Sequence, residues 1–133
     1  MTWHNKNVLI TGATHFISRH LIERLFHSGS HTKAFIRYDY KNDLGLLNYL
    51  PLHIKSQIEV IHGNLTNPEV VEYVTSHVDV VFHLGALDVI PYSQINLRDW
   101  LEENVLGTFN VLNAALKYNV QKLVHVSAIG VYG

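Results

Sequence analysis

The chain has 133 residues, 47% hydrophobic and 16% charged, with a formal net charge of −1 and no cysteine. That length fits one domain able to bury roughly two-thirds of its unfolded surface, so no disulfide or metal staple is required. The charge balance excludes a chain-wide basic field for nucleic acid or an anionic membrane, and the missing thiols exclude cysteine catalysis and thiolate metal sites. No apolar run approaches the roughly 18 residues of a membrane span. The opening "MTWHNKNVLITG" has no basic segment ahead of a long apolar core, so a cytoplasmic domain is the expectation. Ten histidines are scattered, and their only i, i+4 pair, His27 and His31, straddles Gly29, so no metal site is expected.

In chain order, "NVLIT" (7–11) is a short apolar run that predicts a strand, and Phe16, Ile17, His20, Leu21, Arg24 and Leu25 follow at helical spacing. Ser28-Gly29-Ser30 separates that helix from a second strand, "TKAFIRY" (32–38). After a polar stretch with a short helix at 43–49 comes "QIEVIHG" (57–63), the third strand. Asn67-Pro68 opens a helix, Asn67 as N-cap and Pro68 at the first position. "VDVVFHLG" (78–85) reads as a fourth strand, continuously apolar as a sheet covered on both faces requires. Leu101, Val105, Phe109, Leu112, Ala115 and Leu116 predict one uninterrupted helix over 98–118, and "KLVHVSA" (122–128) predicts the fifth strand. Strands alternating with helices point to an α/β fold, a doubly wound parallel sheet of about five strands; right-handed crossovers favour the order 3-2-1-4-5.

The turn between the first strand and the first helix carries the chemistry. In a dinucleotide-binding turn one glycine makes the tight bend, a second lets the backbone approach the pyrophosphate, and a third lets helix and strand pack closely. Here Gly12 occupies the first place, His15 the second and Ser18 the third.

"TGATHFISRHLIERL" resembles the TGxxGFIGxxLxxxL opening of the NAD(P)-dependent nucleotide-sugar epimerases and dehydratases, the extended short-chain dehydrogenase/reductase group. "VIHGNLTNPEVV", "VDVVFHLGAL", "NVLGTFNVLNAA" and "VHVSAIGVYG" are similar, in order, to that family's GD(I/L)xD, DxVxHLAA, NVxGTxNVLxAA and SSxxVYG segments. "YDYKNDLGLL" and "IPYSQINLRDWLEENV" look most like the sugar-nucleotide 4,6-dehydratase branch. The resemblance implies a Rossmann-like domain over residues 1–133 that binds NAD or NADP and lacks the C-terminal substrate domain. Carried over residue by residue, it places cofactor contacts at Gly12, Thr14, His15, Phe16, Ile17, Arg37, Asn64, Leu65, Leu84, Gly85, Ala86 and Asn104.

Departures from the family pattern fall on the chemistry. His15 projects toward the pyrophosphate space; steric obstruction is the favoured reading, a charge-assisted phosphate contact the alternative. Arg37 stands where an NAD-preferring member has an acid, which suits a 2′-phosphate and so NADP, a solvent-exposed arginine at a strand end being the equal alternative, with Asp39 a weaker candidate for the ribose; Asn64 replaces an adenine-binding aspartate. Ala128 replaces the family's Ser or Thr, Ile129 and Gly130 replace its proton-transfer residues, and Ser127, one position off, is expected on the opposite strand face. The Tyr-x-x-x-Lys pair of the family lies beyond this sequence, and Tyr132 is not its base. His83 and His125 lie near the expected crevice and are read as packing residues, Tyr92 and Ser93 as ordinary loop residues. No catalytic residue is nominated. The chain is therefore expected to be a family member that is not catalytically competent alone; the alternatives are an N-terminal fragment or split subunit of an active 4,6-dehydratase or epimerase, completed in trans, and a dinucleotide sensor. In full-length relatives the helix matching 98–118 joins a dimer interface, so a homodimer through that helix or the strand-five edge is expected, with no nucleic-acid or membrane partner.

Overall fold

The computed structural model describes residues 2–88 and 94–132. Five parallel strands form one sheet in the order β3-β2-β1-β4-β5, as the crossover rule predicts. They are β1 (Asn7–Thr11), β2 (His31–Arg37), β3 (Glu59–Gly63), β4 (Val80–His83) and β5 (Lys122–His125). Among the described residues the helices are α1 (Phe16–His27), a short α2 (Leu52–Lys55) preceded by a 3₁₀ turn at Gly45–Tyr49, α3 (Pro68–Thr75), α4 (Leu97–Leu101) and α5 (Gly107–Lys117). Asn67 caps α3 as expected: its side chain accepts from the Val70 N–H at 3.2 Å.

Alternate residues of each strand serve opposite cores, which is why the strands read as unbroken apolar runs. Val8, Ile10, Ala34, Ile36 and Val80 pack beneath α1, with Leu47, Leu50 and Ile54 from the segment between β2 and β3. Leu9, Phe35 and Val81 face the other way, against Val71 and Val74 of α3 and Val111 and Ala114 of α5.

Three of the boundary differences from the sequence expectation bear on the site. The fourth and fifth strands are shorter than 78–85 and 122–128, because pairing stops at the level of the Thr11, His83 and His125 ladder. The expected 98–118 helix is interrupted by a π turn at Glu102–Leu106, which lies between α4 and α5. At that break Gly107 sits where a Cβ would lie 2.8 Å from Leu65 Cβ, and the Asn104 amide grips the backbone of Leu87. Tyr92 and Ser93 lie outside the described residues.

Candidate functional site

The turn after β1 is built around Gly12, whose φ of 66° is left-handed and whose added Cβ would lie 2.7 Å from Gly85 Cα. Glycine is therefore needed twice over, for backbone conformation and for the close approach of the β1 and β4 ends. Ser18, in place of the packing glycine, is fully buried and donates its hydroxyl to the Gly12 carbonyl at 2.7 Å. The substitution is accommodated because the added polar atom closes the turn it sits beneath. His15 has ordinary extended geometry (φ −91°, ψ 169°), so the backbone there does not demand glycine. It is the N-cap of α1, yet its side chain makes no capping bond and the first turn holds no acid. By contrast, α3 and α4 are capped by Asn67 and Asn96 and carry Glu69 and Asp99 in their first turns. The leading N–H groups of α1 are thus left without a side-chain acceptor, the arrangement that suits an anion.

A cleft of about 240 Å³ opens at the C-terminal ends of β1 and β4, where the strand order reverses. Gly12, Thr14 and His15 line it from the turn, Phe35 and Arg37 from β2, Gly63 and Leu65 from the end of β3, and residues 85–88 from the end of β4, with Glu103 opposite. A second cleft adjoins it, lined by Ile17, Ser18, Leu84, Val126, Ser127 and Ala128; His15, Ala86 and Asp88 belong to both. Arg37, Asn64, Thr66, Asp99, Glu102 and Glu103 frame a further recess.

The expected contacts are thus distributed unevenly. Gly12, Thr14, His15, Arg37, Leu65, Gly85 and Ala86 converge on the main cleft, Ile17 and Leu84 on the second, Asn64 on the recess. Phe16 instead packs edge-on against the His20 ring at 4.5 Å and lines none of them. Asn104 acts on the loop after β4, accepting from the Leu87 N–H at 2.7 Å and donating to its carbonyl at 3.0 Å. The sequence reading missed Phe35, Gly63, Leu87, Asp88 and Glu103. Gly63 had a signal in the quoted glycine before Asn64; Glu103, one acid of a helical pair, had none. It lies 3.7 Å from the Arg37 guanidinium.

His83 is sealed beneath this floor, 1% exposed. Nδ1 lies 2.7 Å from the Thr11 hydroxyl and Nε2 lies 2.9 Å from that of Thr108. Burial, and secondarily the His125 ring, push its pKa down to about 4, so the imidazole is neutral near pH 7.

A sequence model of the NAD dependent epimerase/dehydratase family matches residues 8–133. The chain belongs to that family. Among curated members, an Arabidopsis thaliana trifunctional UDP-glucose 4,6-dehydratase/UDP-4-keto-6-deoxy-D-glucose 3,5-epimerase/UDP-4-keto-L-rhamnose-reductase is 30% identical over 99% of this chain and 20% of its own length. A Pisum sativum UDP-glucose 4-epimerase is 26% identical over 97% of this chain and 38% of its own. Among solved structures, MoeE5 in complex with UDP-glucuronic acid and NAD superposes with a TM-score of 0.77 at 30% identity, covering 96% of this chain and 38% of that one. Pen from Bacillus thuringiensis gives 0.83 at 26%, with the same coverage. The chain spans between a fifth and two-fifths of the length of these relatives, and it matches the N-terminal Rossmann domain of the epimerases.

In the catalytic segment of the epimerase/dehydratase pattern, one expectation loses its premise. Strand alternation puts Ser127 on the opposite face from Ala128 only if both lie on a strand, and β5 ends at His125, before either residue. Ser127 and Ala128 both line the second cleft. His15, Asp88 and Ser127 share that cleft, yet no hydrogen bond or ion pair joins any two of these described residues. No helix among the described residues is long and apolar enough to cross a membrane, and they contain no cluster of metal-ligating side chains.

Proposed function

We propose that this chain is the dinucleotide-holding part of an epimerase/dehydratase-family protein and does not turn over substrate by itself. The observation that carries the reading is the convergence of Gly12, Thr14, Arg37, Leu65 and Gly85 on one cleft at the β1/β4 switch, beside the uncapped start of α1. The uncapped N–H groups suit a pyrophosphate; Arg37 and Glu103 flank the ribose end; Leu65 and Phe35 offer apolar surface to an adenine. A bound nicotinamide dinucleotide would supply hydride transfer. The MoeE5 complex with NAD supports NAD or NADP as the ligand class.

Absence of turnover rests on residues inside the chain. General acid–base chemistry needs an accessible proton acceptor of matched pKa. His83 is buried with both ring nitrogens engaged, Ala128 offers no donor, and no hydrogen bond among the described residues positions Ser127 against a base. The competing reading is one half of an active enzyme completed by further chain or by a partner, and the greater length of the relatives favours it.

Calorimetric titration with NAD, NADP and their reduced forms separates the readings. Binding without turnover of UDP-sugars supports the proposal, and binding with turnover supports the enzyme. No binding at millimolar dinucleotide defeats both. A second copy of this chain is the proposed partner, through the exposed stripe Leu97, Leu101, Val105, Phe109, Leu112 and Leu116.

A further inference from the structure

Taken alone, Arg37 at the end of β2 points to a 2′-phosphorylated ribose, since that strand end is where this fold meets the adenosine ribose. The fold sets another charge against it. Glu103, from the π turn, holds its carboxylate 3.7 Å from the Arg37 guanidinium. The two are unequally covered: Arg37 is 62% exposed and Glu103 only 13%. Among the described residues, the recess they share is lined by the Arg37 cation and by the carboxylates of Asp99, Glu102 and Glu103. Glu102 is paired with Arg98 at 2.9 Å, and Asp99 bonds Asn96 at 2.7 Å, which leaves Glu103 as the acid set against Arg37.

We infer that Glu103, through its pairing with Arg37, makes this cleft select the dinucleotide with a free ribose 2′-hydroxyl over its 2′-phosphorylated form. The inference rests on the dinucleotide reading above. A 2′-phosphate drawn to Arg37 stands beside a shielded carboxylate of like charge, where repulsion is poorly screened. A 2′-hydroxyl instead donates to that carboxylate, a charge-assisted bond. At 3.7 Å the ion pair is longer than a hydrogen bond, so the carboxylate keeps its capacity to accept. Glu103 thus supplies, from a helix, the acid that the end of β2 lacks.

The test is calorimetric titration of the wild-type chain and of Glu103→Gln with two matched pairs, NAD against NADP and 5′-AMP against adenosine 2′,5′-bisphosphate. The mononucleotides report the adenosine end without engaging the rest of the cleft. Expected is a wild-type preference for NAD and AMP, and a shift of roughly tenfold toward the 2′-phosphorylated partners in Glu103→Gln. Arg37→Ala added to that variant should remove the gain. A wild-type preference for NADP, or an unchanged ratio in Glu103→Gln, overturns the inference while leaving dinucleotide binding intact. If no nucleotide binds the wild type, the dinucleotide reading falls and this inference falls with it. Salt gives an arm that needs no variant: the wild-type gap between the two pairs should narrow as ionic strength rises, and an invariant gap counts against an electrostatic selector.

Discussion

The Thr11 hydroxyl lies 2.7 Å from Nδ1 of His83, across the β1–β4 junction whose C-terminal ends frame the main cleft. Thr11 also accepts the Gly85 N–H at 3.0 Å, and Nε2 of His83 reaches Thr108 of α5 at 2.9 Å. Thr11, accepting from Gly85, has its hydroxyl proton free for Nδ1, and in that tautomer Nε2 carries the imidazole proton and donates to Thr108. Every polar atom in this buried chain then has a partner, and two strands and a helix are tied by one neutral ring.

That neutrality sets a pH dependence. The folded pKa of His83, about 4, lies below its ordinary value of 6.5. Between those values the unfolded chain binds a proton that the folded chain refuses, so stability rises with pH. The contribution is complete above pH 6.5 and is lost as pH falls toward 4, by about 3 kcal/mol in total. Urea melts from pH 4 to pH 8 should show this slope in the wild type and a flatter one in His83→Gln. Parallel curves would remove His83 as its source.

Gly12→Ala should destabilise the fold by about 3 kcal/mol or more, because alanine is strained at φ 66° and its Cβ would sit 2.7 Å from Gly85 Cα. Both obstacles are backbone, so neighbouring side chains cannot yield to relieve them. Thermal denaturation of the purified variant checks this; a melting curve that overlays the wild type contradicts the turn geometry.

His15→Gly should strengthen dinucleotide binding by roughly tenfold if the imidazole obstructs the pyrophosphate path. It should weaken binding if the imidazole is itself a phosphate contact, and His15→Ala should then weaken it as well. Fold stability should change by only about a few tenths of a kcal/mol, since His15 makes no capping bond to lose. Calorimetry of both variants, with a melt as control, decides between the two.

Sedimentation equilibrium of the wild type should show mass rising with concentration, and Phe109→Glu should shift the distribution to monomer. Phe109 is exposed and lies at the centre of the apolar stripe on α4, the π turn and α5. A wild-type mass independent of concentration removes the self-association proposal.

The regular parts of this molecule were legible in the amino-acid order. Residues 7–11, the cap at Asn67 and the sheet order all followed from apolar periodicity, turn residues and crossover handedness. The ends of β4 and β5 were overextended because apolar residues continue past the point where a neighbouring strand remains to pair with. The π turn left no mark in the 98–118 pattern, since Asn104 and Gly107 reveal their roles only against Leu87 and Leu65.

By itself the sequence determined the doubly wound sheet, the glycine turn and the family motifs, because each depends on residues a few positions apart. Only the tertiary structure decided what three of the chemically interesting side chains face. Arg37 looked like a free cation until α4 and the π turn brought Glu103 beside it. His83 became a neutral, saturated bridge because Thr11 and Thr108 close on it from a strand and a helix. Ser127 joined Ala128 in one cleft because β5 ends before either residue. Charge pairing and burial act through space, and the distances that govern them exist only after the sheet and its helices have docked.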